Sequence, residues 1–194
     1  MAKLYSEGRA KIKPIIFSHG LISNRNYYNS MGQEFASNGY IVFLIDHLDG
    51  SNIYTLKKDQ TVHTVPFDES PHPDIAFKMQ TENTESAKKF WYQKLEIRTT
   101  EVSALIDDIH EKEFLGKVIG FNSGLNAKID LENLIISGHS MGGATALNAG
   151  DTDKRIKAVL THDPWGKLLG SKIGNFTDLM KKPIQMTNTS QFAI

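Results

Sequence analysis

Short unbroken apolar runs alternate along this chain with stretches of helical period, and the alternation predicts a fold class before any single residue is interpreted. Pro14-Ile15-Ile16-Phe17-Ser18 and Tyr40-Ile41-Val42-Phe43-Leu44-Ile45 are β-rich runs without polar alternation, the pattern of strands covered on both faces in a parallel sheet. Between them Tyr28, Met31 and Phe35 fall at i, i+3 and i+7, and Asn38-Gly39 supplies the stop, which makes one βαβ unit. Trp91, Leu95, Val102, Leu105, Ile106 and Ile109 then form an apolar stripe that predicts a long helix from about Asn83 to His110. Arg98 lies on that stripe and calls for an acidic partner. Asn133 to Ser137 reads as a third buried strand, Gly142 to Ala149 as the helix after it, Lys157 to Thr161 as a fourth strand and Ile184 to Thr187 as a fifth. Strands and helices in this order predict a three-layer α/β fold with a mostly parallel sheet, right-handed crossovers and functional groups at the strand C-termini. The stretch from Leu48 to Gln80, with Pro66, Pro71 and Pro73, reads as an irregular excursion placed to cover a site.

Composition narrows the chemistry. At 194 residues, 40% hydrophobic and 23% charged, the chain is expected to form a single domain over residues 1–194. Lys plus Arg number 22 and Asp plus Glu number 22, so no overall field favours nucleic acid. The absence of Cys excludes disulfides, thiolate metal sites and a cysteine nucleophile. No apolar run approaches the roughly 18 residues of a membrane span, so a soluble protein is expected, with any membrane contact peripheral. Met-Ala-Lys-Leu-Tyr-Ser at the N-terminus has neither a signal-peptide core nor Gly at position 2, and the compartment, cytoplasmic or secreted, stays open.

Gly138-His139-Ser140-Met141-Gly142 follows an apolar strand directly and opens a helix, the context of a G-x-S-x-G nucleophile elbow. Such an elbow holds Ser140 on a sharp turn with its hydroxyl above the sheet, and small residues two places either side let the neighbouring backbone approach. Gly138 to Thr145 also spells a phosphate-loop pattern, but Ala144 stands where the charge-compensating lysine belongs, which demotes nucleotide binding. Acyl transfer needs two backbone donors for the developing oxyanion, one from the residue after the nucleophile and one from the loop after an earlier strand; Met141 and Leu21 fill those places. In the chain order Ser, Asp, His, the acid is Asp163 at the end of the following strand, with Asp178 as the weaker alternative. The histidines are His19, His47, His63, His72, His110, His139 and His162, and none follows Asp163. His139 is too close to Ser140, and His162 and Asp163 are strand neighbours that point to opposite faces. His19 and His47 are expected to be structural, His110 a cation at a helix C-terminus, and His63 or His72 a surrogate base only if the excursion reaches over the site. No pair has H-x-x-x-H spacing, so neither a metal nor a cofactor is expected.

These residues resemble the platelet-activating factor acetylhydrolases, serine-dependent phospholipases A2 of the α/β-hydrolase fold. The resemblance runs from about Pro14 to Phe192. It is carried by Pro14 to Leu21, Phe35 to Val42, Asp46-His47-Leu48-Asp49-Gly50-Ser51, Gly138 to Thr145 and Asp163-Pro164-Trp165. It implies Ser140 as nucleophile, Asp163 as acid and the Leu21 and Met141 N–H groups as oxyanion hole. It also implies calcium-independent cleavage of a short sn-2 acyl ester in a phospholipid or other small ester, and contact with a membrane or lipoprotein surface. The same resemblance sets further strands ahead of Pro14 and the catalytic histidine beyond Ile194, so the chain is expected to be a fragment, nearly inactive alone. A broader carboxylesterase and a non-catalytic α/β-hydrolase-like binding protein stand as the alternatives.

Overall fold

The computed structural model describes residues 11–56, 61–64, 84–120 and 125–188. Five parallel strands, β1 (Lys13–Ser18), β2 (Tyr40–Ile45), β5 (Leu134–His139), β6 (Ile156–His162) and β7 (Ile184–Thr187), form one sheet in the order β2-β1-β5-β6-β7. Its register pairs Ile15 with Val42 on one side and with Ile135 on the other, so strands about 120 residues apart in sequence lie side by side. The fold is that of the α/β hydrolases. Helix α1 (Asn29–Ser37) links β1 to β2, α2 (Glu85–His110) precedes β5 with the short α3 (Phe114–Ile119) after it, and α4 (Met141–Thr152) links β5 to β6. Right-handed crossovers that step in opposite directions along a sheet place their helices on opposite faces, which yields three layers.

Helix α2 begins where Thr84 caps it, its Oγ1 accepting the Ala87 N–H at 3.3 Å. Its buried stripe is Ala87, Trp91, Leu95, Arg98, Val102, Ile106 and Ile109, and it packs against α4, whose residues 141–150 are all buried. Small side chains let α4 nest this closely: Gly142, Gly143, Ala144, Ala146, Ala149 and Gly150 leave only short protrusions between helix and sheet.

Two details differ from the sequence pattern. Tyr28 is not the first turn of α1 but the last residue of a 3₁₀ turn, Arg25–Tyr28, opened by Asn24, whose side chain accepts the Asn26 N–H. The excursion after Leu48 is not wholly irregular: β3 (Tyr54–Leu56) and β4 (Val62–Thr64) pair antiparallel. Pro66, Pro71, Pro73 and His72 lie outside the described residues. No helix among the described residues is long and apolar enough to cross a membrane.

Candidate active site

The order of the sheet points to one place. From β1 the chain moves outward to β2, and from β5 it moves the other way to β6 and β7, so the adjacent strands β1 and β5 mark the topological switch point of the sheet, the place where α/β folds carry their functional groups at the strand C-termini. His19–Ile22 leaves β1 there, Ser140 leaves β5 and Asp163 leaves β6.

Ser140 sits at φ 53°, ψ −116°, a conformation L-residues rarely adopt, between the last residue of β5 and the first of α4. The turn packs tightly enough that its flanking positions must be glycine. A Cβ on Gly138 would stand 2.2 Å from the Gly142 carbonyl oxygen, and one on Gly142 would stand 2.0 Å from the carbonyl oxygen of Ser18. The Ser140 N–H donates to the His162 carbonyl at 3.0 Å, and its own carbonyl accepts the Trp165 N–H at 2.8 Å, which ties the turn to β6 and to the segment beyond Asp163. Ser140 is half-buried, and its hydroxyl has no hydrogen-bond partner among the described residues.

The loop after β1 is anchored through the backbone of His19, Gly20 and Ile22. The His19 carbonyl accepts Arg98 Nη1 at 2.7 Å, the Gly20 N–H donates to Tyr28 Oη at 3.1 Å, and the Gly20 carbonyl faces His19 Nδ1 at 2.7 Å. The Ile22 N–H donates to the Ser51 carbonyl at 2.7 Å, with Ile22 at φ 51°, an uncommon state for a β-branched residue. Between these anchors the Leu21 N–H has no partner among the described residues. Met141 supplies the first N–H of α4, which no turn of its own helix can satisfy, and the helix dipole adds partial positive charge there.

Asp163 is half-buried at φ 44°, its N–H donating to the Thr187 carbonyl at 2.6 Å. Its charge reaches both His139 and His162. Burial holds both rings below the ordinary histidine value, and Asp163 opposes that shift in each. The alternative acid is remote. Asp178 pairs with Lys181 at 3.1 Å, and its N–H donates to Asp151 at the far end of α4. Of the other histidines, His110 Nδ1 faces the Ile106 carbonyl at 2.7 Å, and His162 Nε2 is buried with no partner among the described residues.

A second constellation has no signal in the sequence. Ser18 Oγ lies 2.7 Å from His47 Nε2, and His47 Nδ1 lies 2.6 Å from Glu101 Oε2, a serine, an imidazole and a carboxylate in line. Burial, then the charge of Arg98 and the neighbouring His19, holds His47 well below 6.5, and burial pushes Glu101 up to about 7 against the Leu48 N–H that it accepts. Behind them Arg98, fully buried, donates to Asp49 Oδ2 at 2.9 Å and to the Ser51 hydroxyl. This is the acidic partner that the α2 stripe called for. Burial works against the Asp49 charge, yet Arg98 and the two Ser51 hydrogen bonds outweigh it and keep the carboxyl below its ordinary range.

With this geometry in view, the relatives of the chain can be placed. A family model described as platelet-activating factor acetylhydrolase, isoform II, matches residues 4–194. The chain belongs to this family. A platelet-activating factor acetylhydrolase of Cavia porcellus is 31% identical over 182 residues, covering 92% of this chain and 40% of the relative. A putative phospholipase A2 of Schizosaccharomyces pombe is 27% identical over 164 residues, covering 75% of this chain and 36% of the relative. The chain thus spans about 40% of the length of the curated acetylhydrolases it matches. Among solved structures, a ferulic acid esterase from Streptomyces cinnamoneus superposes with a TM-score of 0.52 over 91% of this chain and 50% of its own, at 14% identity, a likeness of fold. Within the acetylhydrolase family frame, the structure brings Ser140, Leu21, Met141 and Asp163 to one edge of the sheet, and leaves Asp178 away from it.

Proposed function

We propose that this chain supplies the nucleophile, oxyanion donors and acid of a serine esterase that cleaves the short sn-2 acyl ester of platelet-activating-factor-like glycerophospholipids. The observation that carries the reading is the strained Ser140 turn, set at the junction of β5 and α4 on the sheet edge where the loop after the adjacent β1 also emerges, with the N–H groups of Leu21 and Met141 unused by the rest of the described fold. A hydroxyl held there attacks an ester carbonyl, whose oxygen takes on negative charge between the two donors. Such a donor is worth about 3 kcal/mol of transition-state stabilisation. The tetrahedral intermediate collapses to acyl-Ser140 with departure of the lysophospholipid alcohol, and water then releases the acyl group as a carboxylic acid.

The base that takes the Ser140 proton is assigned to a histidine outside the described residues, with Asp163 orienting its ring. Among the described histidines, His19 and His47 are buried in the Arg98 cluster, His139 faces Tyr28, His110 faces the Ile106 carbonyl, and His162 directly precedes Asp163 on β6 with its Nε2 buried. The family supports the phospholipid substrate class, and the fold supports ester hydrolysis.

The test is to express the protein from its own gene and compare an acetyl glycerophosphocholine, its long-chain sn-2 counterpart and a simple aryl ester. Release of acetate from the first, much faster than fatty acid from the second and lost in Ser140→Ala, is the expected result. Turnover of aryl esters alone would replace this substrate class with a broader carboxylesterase, and silence on all three would remove the catalytic reading.

A further inference from the structure

One contact at the site belongs to neither the nucleophile, the acid nor the oxyanion donors. Tyr28 Oη receives the Gly20 N–H at 3.1 Å and lies 2.8 Å from His139 Nδ1. Gly20 directly precedes Leu21, and His139 directly precedes Ser140, so one oxygen joins two loops that are 111 residues apart between the bonded partners Tyr28 and His139. The Gly20 N–H donates to the phenol oxygen, and the same hydroxyl is hydrogen-bonded to His139 Nδ1, the donor of that second bond being set by the imidazole tautomer. The ring is seated as well as the hydroxyl: it packs on Phe17 of β1 at 4.7 Å and on the His139 ring at 5.9 Å. The fit leaves little slack, since a Cβ on Gly20 would stand 3.2 Å from both Tyr28 Oη and His139 Nδ1.

We infer that Tyr28 is a positioning residue of the ester hydrolysis: its hydroxyl locks the loop that carries the Leu21 N–H to the turn that carries Ser140, and so sets the spacing of the two oxyanion donors. The inference rests on the esterase reading above. The mechanism is physical. Donors stabilise a nascent oxyanion only if they are held in place before the charge develops, and the β1 and β5 loops share no other side-chain hydrogen bond among the described contacts. A displacement of about 1 Å in such a site can cost about 100-fold in rate.

Tyr28→Phe tests this because it keeps the ring against Phe17 and removes one oxygen. In the protein expressed from its own gene, kcat for the acetyl phospholipid should fall about 10- to 100-fold while KM moves less than about twofold. Affinity for a trifluoromethyl ketone, which forms an oxyanion adduct on a reactive serine, should fall by the same factor as kcat/KM. The thermal midpoint should stay close to that of the parent. In a double-mutant cycle with His139→Asn, the two losses should fail to add, because both remove the same link. Unchanged kcat and ketone affinity in Tyr28→Phe, or a loss confined to KM, or a loss that merely follows the thermal midpoint, would overturn the assignment. Retention of hydrolysis by Ser140→Ala would instead overturn the esterase reading itself, so the two failures are told apart.

Discussion

Two serines in this molecule stand at the ends of adjacent strands, and their surroundings are opposites. Ser18 has the complete hydrogen-bond line of a hydrolase triad, at 2.7 Å and 2.6 Å through His47 to Glu101, yet the serine is 0% exposed and sits in ordinary strand conformation. Ser140 has no base within hydrogen-bond reach among the described residues, but it is half-exposed on a strained turn, and the Leu21 and Met141 N–H groups on the same sheet edge are unclaimed among the described residues. The contrast teaches that a serine–imidazole–carboxylate line is a stable way to satisfy buried polar groups and marks no reaction by itself. The reaction proposed at Ser140 rests instead on access, strain and unclaimed backbone donors.

The sharpest way to break the comparison is to remove each hydroxyl in turn. In the protein expressed from its own gene, Ser140→Ala should lower kcat on the order of a million-fold, the scale seen for a lost triad nucleophile in subtilisin. Ser18→Ala should change kcat by less than about tenfold, leaving the buried line an element of structure. Steady-state hydrolysis of an acetyl phospholipid reads both, and comparable losses would erase the distinction between the two serines.

The support of the buried cluster is tested next through stability. Arg98→Met leaves Asp49 buried and unpaired, and should cost about 3 to 5 kcal/mol in denaturant unfolding, where a surface ion pair would cost far less. On the Ser140 side, Gly142→Ala forces a methyl to within 2.0 Å of the Ser18 carbonyl oxygen, and should cost about 3 kcal/mol because backbone rather than a side-chain tip must yield.

The smallest effect is one of pH. Glu101 is pushed up from 4.5 to about 7, so the folded chain holds this proton more tightly than the unfolded chain does. That stabilisation is complete below pH 4.5 and disappears as the pH rises through about 7. His19, lowered from 6.5 to about 4, acts in the other direction and adds stability as the pH rises across that range. The difference between the parent and Glu101→Gln isolates the carboxyl: the parent should lose ground to the variant by on the order of 1 kcal/mol between pH 5 and pH 8, the partial exposure of the side chain having damped the shift. Urea unfolding at four pH values measures it, and parallel curves would show that Glu101 titrates normally.

The sheet was readable because strands buried on both faces must be apolar throughout, and Ile15, Ile16, Val42, Ile135 and Ile136 display this directly. Ser140 was readable because its turn demands small residues at Gly138 and Gly142, which leaves a spaced mark in the chain. Arg98 announced itself as a charge on an apolar stripe, and only the three-dimensional fold could name Asp49 as its partner, 49 residues away. Tyr28 and the Ser18–His47–Glu101 line were hidden for the same physical reason. Each depends on polar atoms from distant segments meeting across the sheet edge, whereas Tyr28 in sequence looks like one more apolar position before a helix. The signal that hinted at it was the run Asn24-Arg25-Asn26, a poor opening for an α-helix and a good one for a capped 3₁₀ turn.

Ile22, Ser140 and Asp163 are the non-glycine residues at positive φ among those described, and all three follow the C-terminal ends of strands on one rim of the sheet. Bends of this kind are unfavourable by about 1 to 3 kcal/mol each and persist only while the packing around them holds. On warming, that rim should let go before the helices melt. Catalytic output should then fade at temperatures where circular dichroism still reports an intact fold, and mutations scattered through the core should be felt as lost turnover well before they are felt as lost protein.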